Sequence, residues 1–266
     1  MVNSLESLNP ITSSVPDCAI PLLISGDHKE FPFGFSGSGI LASYGSRIFV
    51  ISAEHCFGST PKAVKESINH LCIPISTSSN ELIPLRQWGS AVALDNAHKE
   101  LLPNGKLDIV VITIDQTDAK MVDMLSKRCI RLSGEGKWLE HLEKTLKEES
   151  LSETKNILVE ARGYPFEGTT SGIDVENRHI TTQGVTFRGL ITWNKMFPHT
   201  LEIAIKPNDC PVADLNGASG GPVFLPMRKD SGYQYALAGM MIRASQLKGH
   251  FITIRWLVEA VIRALD

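Results

Sequence analysis

The chain reads as an all-β protein built from two β-rich halves, joined by a partly helical connector and closed by a C-terminal helix. Three observations carry this reading. Short apolar runs alternate with turn residues from residue 19 to 115 and again from 157 to 254. Between Thr117 and Asn156 the apolar period lengthens to that of a helix. The tail then carries Trp256, Leu257, Ala260, Val261 and Ala264 as one helical stripe. Many short strands with few helices argue for closed barrels or a sandwich. The expected division is a tail over residues 1–17, a β unit over 18–116, a connector with a helical insertion over 117–156, a second β unit over 157–254 and a helix over 255–266.

In order, Ala19 to Ile24, Gly39 to Ala42, Arg47 to Ser52, His70 to Ile75, Ser90 to Leu94 and Asp108 to Ile114 have strand character. Ser25-Gly26-Asp27, Tyr44-Gly45-Ser46, Ser76 to Asn80 and Pro103-Asn104-Gly105 punctuate them. In the connector, Met121, Val122, Met124 and Leu125 suit a short helix, and Trp138, Leu139, Leu142 and Leu146 suit a second. Strand signals resume at Ile157 to Ala161, Val185 to Leu190, Leu201 to Ile205, Gly221 to Leu225, Tyr235 to Ile242 and His250 to Ile254.

Composition narrows the function. Charged residues make up 21% and apolar ones 42%, with a net charge of −3, as in an ordinary globular protein. No basic run interleaved with aromatics points to nucleic acid, and no apolar stretch has bilayer-spanning length. Residues 1–26 lack the basic leader and apolar core of a signal peptide. Cys18, Cys56, Cys72, Cys129 and Cys210 are odd in number and scattered, which suits reduced thiols. A cytoplasmic location is expected. No His or Cys pair has metal-ligand spacing, so no metal is expected.

The stretch Asn216-Gly217-Ala218-Ser219-Gly220-Gly221-Pro222 sets a serine among glycines. Glycine permits a sharp turn there, and the N–H groups of Gly217 and Ser219 can then point at one spot, as an oxyanion hole requires. A serine hydroxyl needs a base to take its proton. His55 follows the apolar run Ile48 to Ser52, although alone it also fits a histidine that merely ends a strand. Asp108 leads the apolar run Ile109 to Ile112, where a carboxylate needs a hydrogen-bonding partner and an imidazole N–H is a suitable one. Asp95 and Asp115 are rivals in turn-like, solvated surroundings.

Together these residues resemble the trypsin/chymotrypsin-like serine peptidases. Ser52-Ala53-Glu54-His55-Cys56, Asp108-Ile109-Val110-Val111-Ile112 and Gly217-Ala218-Ser219-Gly220-Gly221-Pro222 match that family's three motifs in the order His, Asp, Ser. Gly37-Ser38-Gly39-Ile40, Gly163-Tyr164-Pro165 and the terminal helix are softer matches. The resemblance runs from about residue 18 to the end. It implies two six-stranded antiparallel barrels with the site in the cleft between them. It also implies a protein or peptide substrate cleaved through an acyl-enzyme with no metal or organic cofactor: His55 as base, Asp108 as its orienter, Ser219 as nucleophile, and Gly217 and Ser219 N–H as oxyanion donors. The family's primary pocket maps onto Ala213 and Asp214, with Ile242, Arg243 and Ala244 as the opposite wall. Depending on which of these faces the substrate, a small or apolar, basic or acidic P1 residue follows.

Three departures stand out. Cys56 occupies a disulfide position whose partner, near Ser36 to Gly39, is absent. Ala218 replaces the acid that pairs with a freed N-terminus, so activation by that ion pair is excluded. Glu54 fills a position that is usually small, where it either bears on His55 or points to solvent. An intracellular peptidase without a propeptide also needs narrow specificity or a regulatory partner. Two competing expectations are an inactive or latent binding module on this scaffold, and an α/β-hydrolase esterase. The esterase satisfies G-x-S-x-G with Asp230 and His250 in support, but it requires a helix directly after the serine.

Overall fold

The computed structural model describes residues 11–12, 17–26, 33–74, 82–84, 89–93, 107–114, 119–132, 144, 157–169, 173–174, 179–180, 184–193, 200–229 and 232–265. In chain order the strands are β1 (Ile11–Thr12), β2 (Ala19–Ser25), β3 (Phe33–Tyr44), β4 (Arg47–Ser52), β5 (Leu71–Pro74), β6 (Leu82–Pro84), β7 (Gly89–Ala93), β8 (Val110–Ile114) and β9 (Ile130–Leu132). They continue with β10 (Leu158–Gly163), β11 (Ile173–Asp174), β12 (His179–Ile180), β13 (Val185–Trp193), β14 (Thr200–Ile205), β15 (Pro222–Lys229), β16 (Gly232–Ala244) and β17 (Lys248–Thr253). Among the described residues, three helices exceed two turns: α1 (Pro61–Asn69), α2 (Ala119–Ser126) and α3 (Ile254–Arg263).

The C-terminal half closes into a barrel. β15, β10, β13, β14 and β17 follow one another, and β16 joins both β15 and β17, which returns the sheet to its start with six antiparallel strands. The N-terminal half is a sheet in the order β6-β5-β2-β3-β4-β8-β7, a half-barrel among the described residues. Its pairings are antiparallel except one. β9 runs parallel to Ala42–Tyr44 of β3, on the edge that β2 vacates after Ala19 pairs with Ile40. The fold class is thus two β units, as expected, with that parallel strand as an addition from the connector.

Local sequence explains the elements. β4 and β8 are dense in β-branched and aromatic residues and are buried almost throughout, so they read as continuous apolar runs and pair in the middle of the sheet. Met121 and Leu125 of α2, four apart, turn to the core, as their spacing predicts. α3 buries Ile254, Trp256, Leu257, Val258, Ala260 and Val261. Strand periodicity does not anticipate α1. Its start is nonetheless local: Thr60 Oγ1 accepts the N–H of Ala63 at 3.2 Å, Pro61 opens the helix, and Val64 and Ile68 face inward. The helix expected around Trp138, Leu139, Leu142 and Leu146 lies outside the described residues, as do Asp95 and Asp115.

One buried cluster runs from Cys18, Ile40, Phe49 and Ile51 into Phe187, Phe224, Phe251 and Leu257, so the two halves share a core. A second cluster lies wholly in the N-terminal half, under α1 and α2. No helix among the described residues is long and apolar enough to cross a membrane.

Candidate active site

β4 ends at Ser52 and the chain turns at once into one turn of 3-10 helix, Glu54–Phe57, which lifts His55 off the sheet. The neighbouring strand β8 is entered from Asp108, two residues before its first strand residue. Because β4 and β8 pair through Ser52 and Val110, these two chain ends meet. His55 Nδ1 lies 2.6 Å from Asp108 Oδ2, and the backbone N–H of His55 donates to Asp108 Oδ1 at 3.0 Å. Both carboxylate oxygens therefore hold one residue, which sets the ring's position and makes Nδ1 the protonated nitrogen.

The Asp108 carboxyl sits below its ordinary pKa. Burial pushes it up, but hydrogen bonds from the His55 ring, the charge of that ring and the backbone N–H groups of His55 and Glu54 outweigh burial. Glu54 is only 5% exposed, so it does not point to solvent. Cys56 is a second potential nucleophile beside the histidine, but its thiol is pushed up to about 12. Burial is the main cause and the nearby Asp108 charge adds to it, against a hydrogen bond with Ser52. It stays a neutral thiol near neutral pH. All five cysteines are free, and Ser36 Oγ donates to the Cys56 carbonyl from the segment that lacks a partner cysteine.

Ser219 lies in the turn just before β15. The N–H groups around it alternate in use. Those of Ala218, Gly220 and Gly221 donate to the carbonyls of Leu215, Met241 and Ala218 at 2.9, 2.7 and 3.1 Å. Those of Gly217 and Ser219 have no acceptor among the described residues. Two backbone donors are thus left available on either side of Ala218. Gly217 (φ +96°) and Gly220 (φ +88°) make the turn possible. A Cβ on Gly220 would fall 2.0 Å from the Ser38 carbonyl oxygen and 2.3 Å from Ser52 Oγ, and one on Gly217 would fall 2.7 Å from the Phe35 ring. Phe35 in turn meets Phe166 edge to face, with centroids 5.0 Å apart.

Ser38, buried on β3, ties this turn to the N-terminal half. Its N–H donates to the Ser219 carbonyl at 2.9 Å and its Oγ to the Gly217 carbonyl at 2.7 Å. The same Oγ accepts the Tyr164 N–H at 2.8 Å, and the Ser38 carbonyl accepts from Ser52 Oγ at 2.7 Å. In the sequence, Ser38 is distinguished only as a small polar residue between Gly37 and Gly39. Replacing Ser38 with Ala leaves the buried Tyr164 N–H and Gly217 carbonyl without these partners. Thermal or denaturant unfolding should show a loss of about 2 kcal/mol.

The Ser219 hydroxyl itself donates to the Ile242 carbonyl at 3.1 Å, and among the described residues no hydrogen bond joins it to His55. Ile242 sits at an irregularity in the β16–β17 pairing, between Met241 and Arg243. Past Met241, β16 has, among the described residues, β17 on one side only: Arg243 pairs with His250 and Ala244 with Gly249, while the pairing with β15 ends at Met240. Ile242 to Ala244 therefore form a short free edge next to Ser219. Ala213, Asp214 and Arg243 are exposed. Asp214 is engaged locally, with Asn216 N–H on Oδ1 at 2.9 Å and Asn216 Nδ2 on Oδ2 at 3.0 Å, while its own N–H donates to Glu167 at 2.7 Å. Among the described residues, no three His, Cys, Asp or Glu side chains group as metal ligands. A strand, β15, follows the serine where the esterase expectation needs a helix; Asp230 lies outside the described residues, and His250 stands 4.0 Å from Glu202.

No family model and no curated protein matches the chain. Among solved structures it is similar to a thermostable serine protease, AL20, from an extremophilic microorganism. Identity is 10% and the TM-score 0.50, with 94% of this chain and 99% of that one covered. The likeness is one of architecture, and it agrees with the strand pairing: the chain has the chymotrypsin-like two-barrel fold.

Proposed function

We propose that this protein is a serine endopeptidase that cleaves protein substrates through an acyl-enzyme on Ser219. The observation that carries the reading is the doubly held His55–Asp108 pair in a fold that also leaves the N–H groups of Gly217 and Ser219 without acceptors among the described residues. In this mechanism His55 takes the Ser219 proton as Oγ attacks the scissile carbonyl, and Asp108 stabilises the imidazolium that forms. The N–H groups of Gly217 and Ser219 receive the developing oxyanion. His55 then protonates the leaving amine, and water repeats the sequence to free the acid. The free edge at Ile242 to Ala244 suits an extended peptide added as a strand. Asp214 already carries Asn216, which supports an apolar or small P1 residue over a basic one. Exposed Arg243 supports an acidic residue elsewhere along the edge. Five free thiols support a reducing, cytoplasmic setting.

One observation favours a second reading, a latent scaffold awaiting a partner: the Ser219 hydroxyl is turned to Ile242. Labelling with a fluorophosphonate, followed by mass spectrometry of the adduct, decides between them. A single adduct on Ser219 that does not form in His55→Ala supports the endopeptidase. Folded protein that never labels overturns it.

A further inference from the structure

We infer that the bond from Ser219 Oγ to the Ile242 carbonyl is a substrate-released catch, by which the peptide that binds the free edge frees the nucleophile it will meet. The inference rests on the endopeptidase reading and adds how that site is regulated.

A hydroxyl has one proton and donates one hydrogen bond at a time. While Ser219 donates to Ile242 at 3.1 Å, that proton is not directed at His55, and the oxygen is not activated. The resting site therefore has its base positioned and its two backbone donors free, with the nucleophile alone misdirected. The acceptor is not an arbitrary carbonyl. Ile242 is the irregular residue of the β16–β17 ladder and stands at the head of the edge that, among the described residues, has no strand on its outer side. A peptide adding there as a strand brings backbone N–H groups to that edge. The N–H nearest Ser219 and the Ser219 hydroxyl then compete for one carbonyl, and the amide supplies the partner that lets the hydroxyl turn to His55. Small molecules that offer no such N–H meet the serine in its caught state. This would restrain hydrolysis of chance electrophiles.

The test measures labelling of Ser219 by methanesulfonyl fluoride, a probe too small to reach the edge, in the presence of acetyl-dipeptide amides of varied sequence. Their terminal amide N–H stands in for the substrate's. Binding is followed by the backbone amide NMR shifts of Arg243 and Ala244, and the matching N,N-dimethylamides, which lack the N–H, serve as controls. The catch predicts that an amide that shifts those signals speeds labelling about fivefold, the factor one net hydrogen bond sets, while its dimethylamide does not. Ordinary competition would slow labelling instead. Slower or unchanged labelling by a bound amide overturns the catch and leaves the endopeptidase standing. So does a series in which no amide shifts Arg243 or Ala244, because the edge then takes no peptide. If Ser219 labels neither alone nor with bound amide, both readings fall.

Discussion

Changing Ser219 to Ala, or His55 to Ala, is expected to lower kcat by about 10^6, and the double variant should lose little more. The non-additivity matters as much as the size. If Ser219 Oγ is the nucleophile and His55 its base, each is useless without the other, and what survives is catalysis by the two backbone donors and by binding. The measurement is hydrolysis of an activated peptide ester by wild type, both single variants and the double variant, each shown to be folded by its thermal transition. His250→Ala belongs in the same series. An esterase using His250 would lose activity there and keep it in His55→Ala, whereas the geometry predicts the opposite, since His250 stands beside Glu202 and His55 is the ring held by Asp108. Additive losses, or activity that survives in His55→Ala, would exclude the proposed mechanism.

Asp108→Asn is expected to lower kcat by about 10^4 with a much smaller change in KM. The side chain keeps its shape, and an amide oxygen can still accept the His55 N–H that Oδ1 accepts at 3.0 Å. The amide NH2, however, donates toward Nδ1 where Oδ2 now accepts at 2.6 Å. The ring must then carry its proton on Nε2, the nitrogen that should take the serine's proton. A second consequence concerns stability. The Asp108 carboxyl is held below its usual range in the folded protein, so its stabilising contribution is complete above the unfolded-state value near 3.9 and is lost as pH falls through the folded value. The Asn variant should therefore show a flatter acid limb in a plot of unfolding midpoint against pH, and little difference in slope near neutrality. An acid limb identical to wild type would mean that the carboxylate is not the group whose protonation is felt there.

Helix α1 and strand β9 show why some elements escaped the sequence. α1 has only Val64 and Ile68 on its inner face, too few to stand out, although Thr60 and Pro61 mark its start. β9 is three residues long and acquires strand geometry only because β2 leaves the β3 edge free beyond Ile40. Glu54 is another case. Its neighbours in sequence did not reveal which way it faces; burial at 5% exposure follows from the turn that the β4–β8 pairing imposes.

What the sequence alone determined is what local chemistry encodes. The strand-rich halves, α2 and α3 follow from side-chain period, and His55, Asp108 and Ser219 stand out by the residues on either side of them. Tertiary structure alone decided the rest. β16 closes the second barrel by pairing with both β15 and β17, and Ser38 reaches across 179 positions to the Gly217 carbonyl. The direction of the Ser219 hydroxyl depends on an Ile242 carbonyl 23 residues away. Hydrogen bonds between distant segments have no periodicity in the chain, because their partners are set by how the strands assemble and not by the residues beside them.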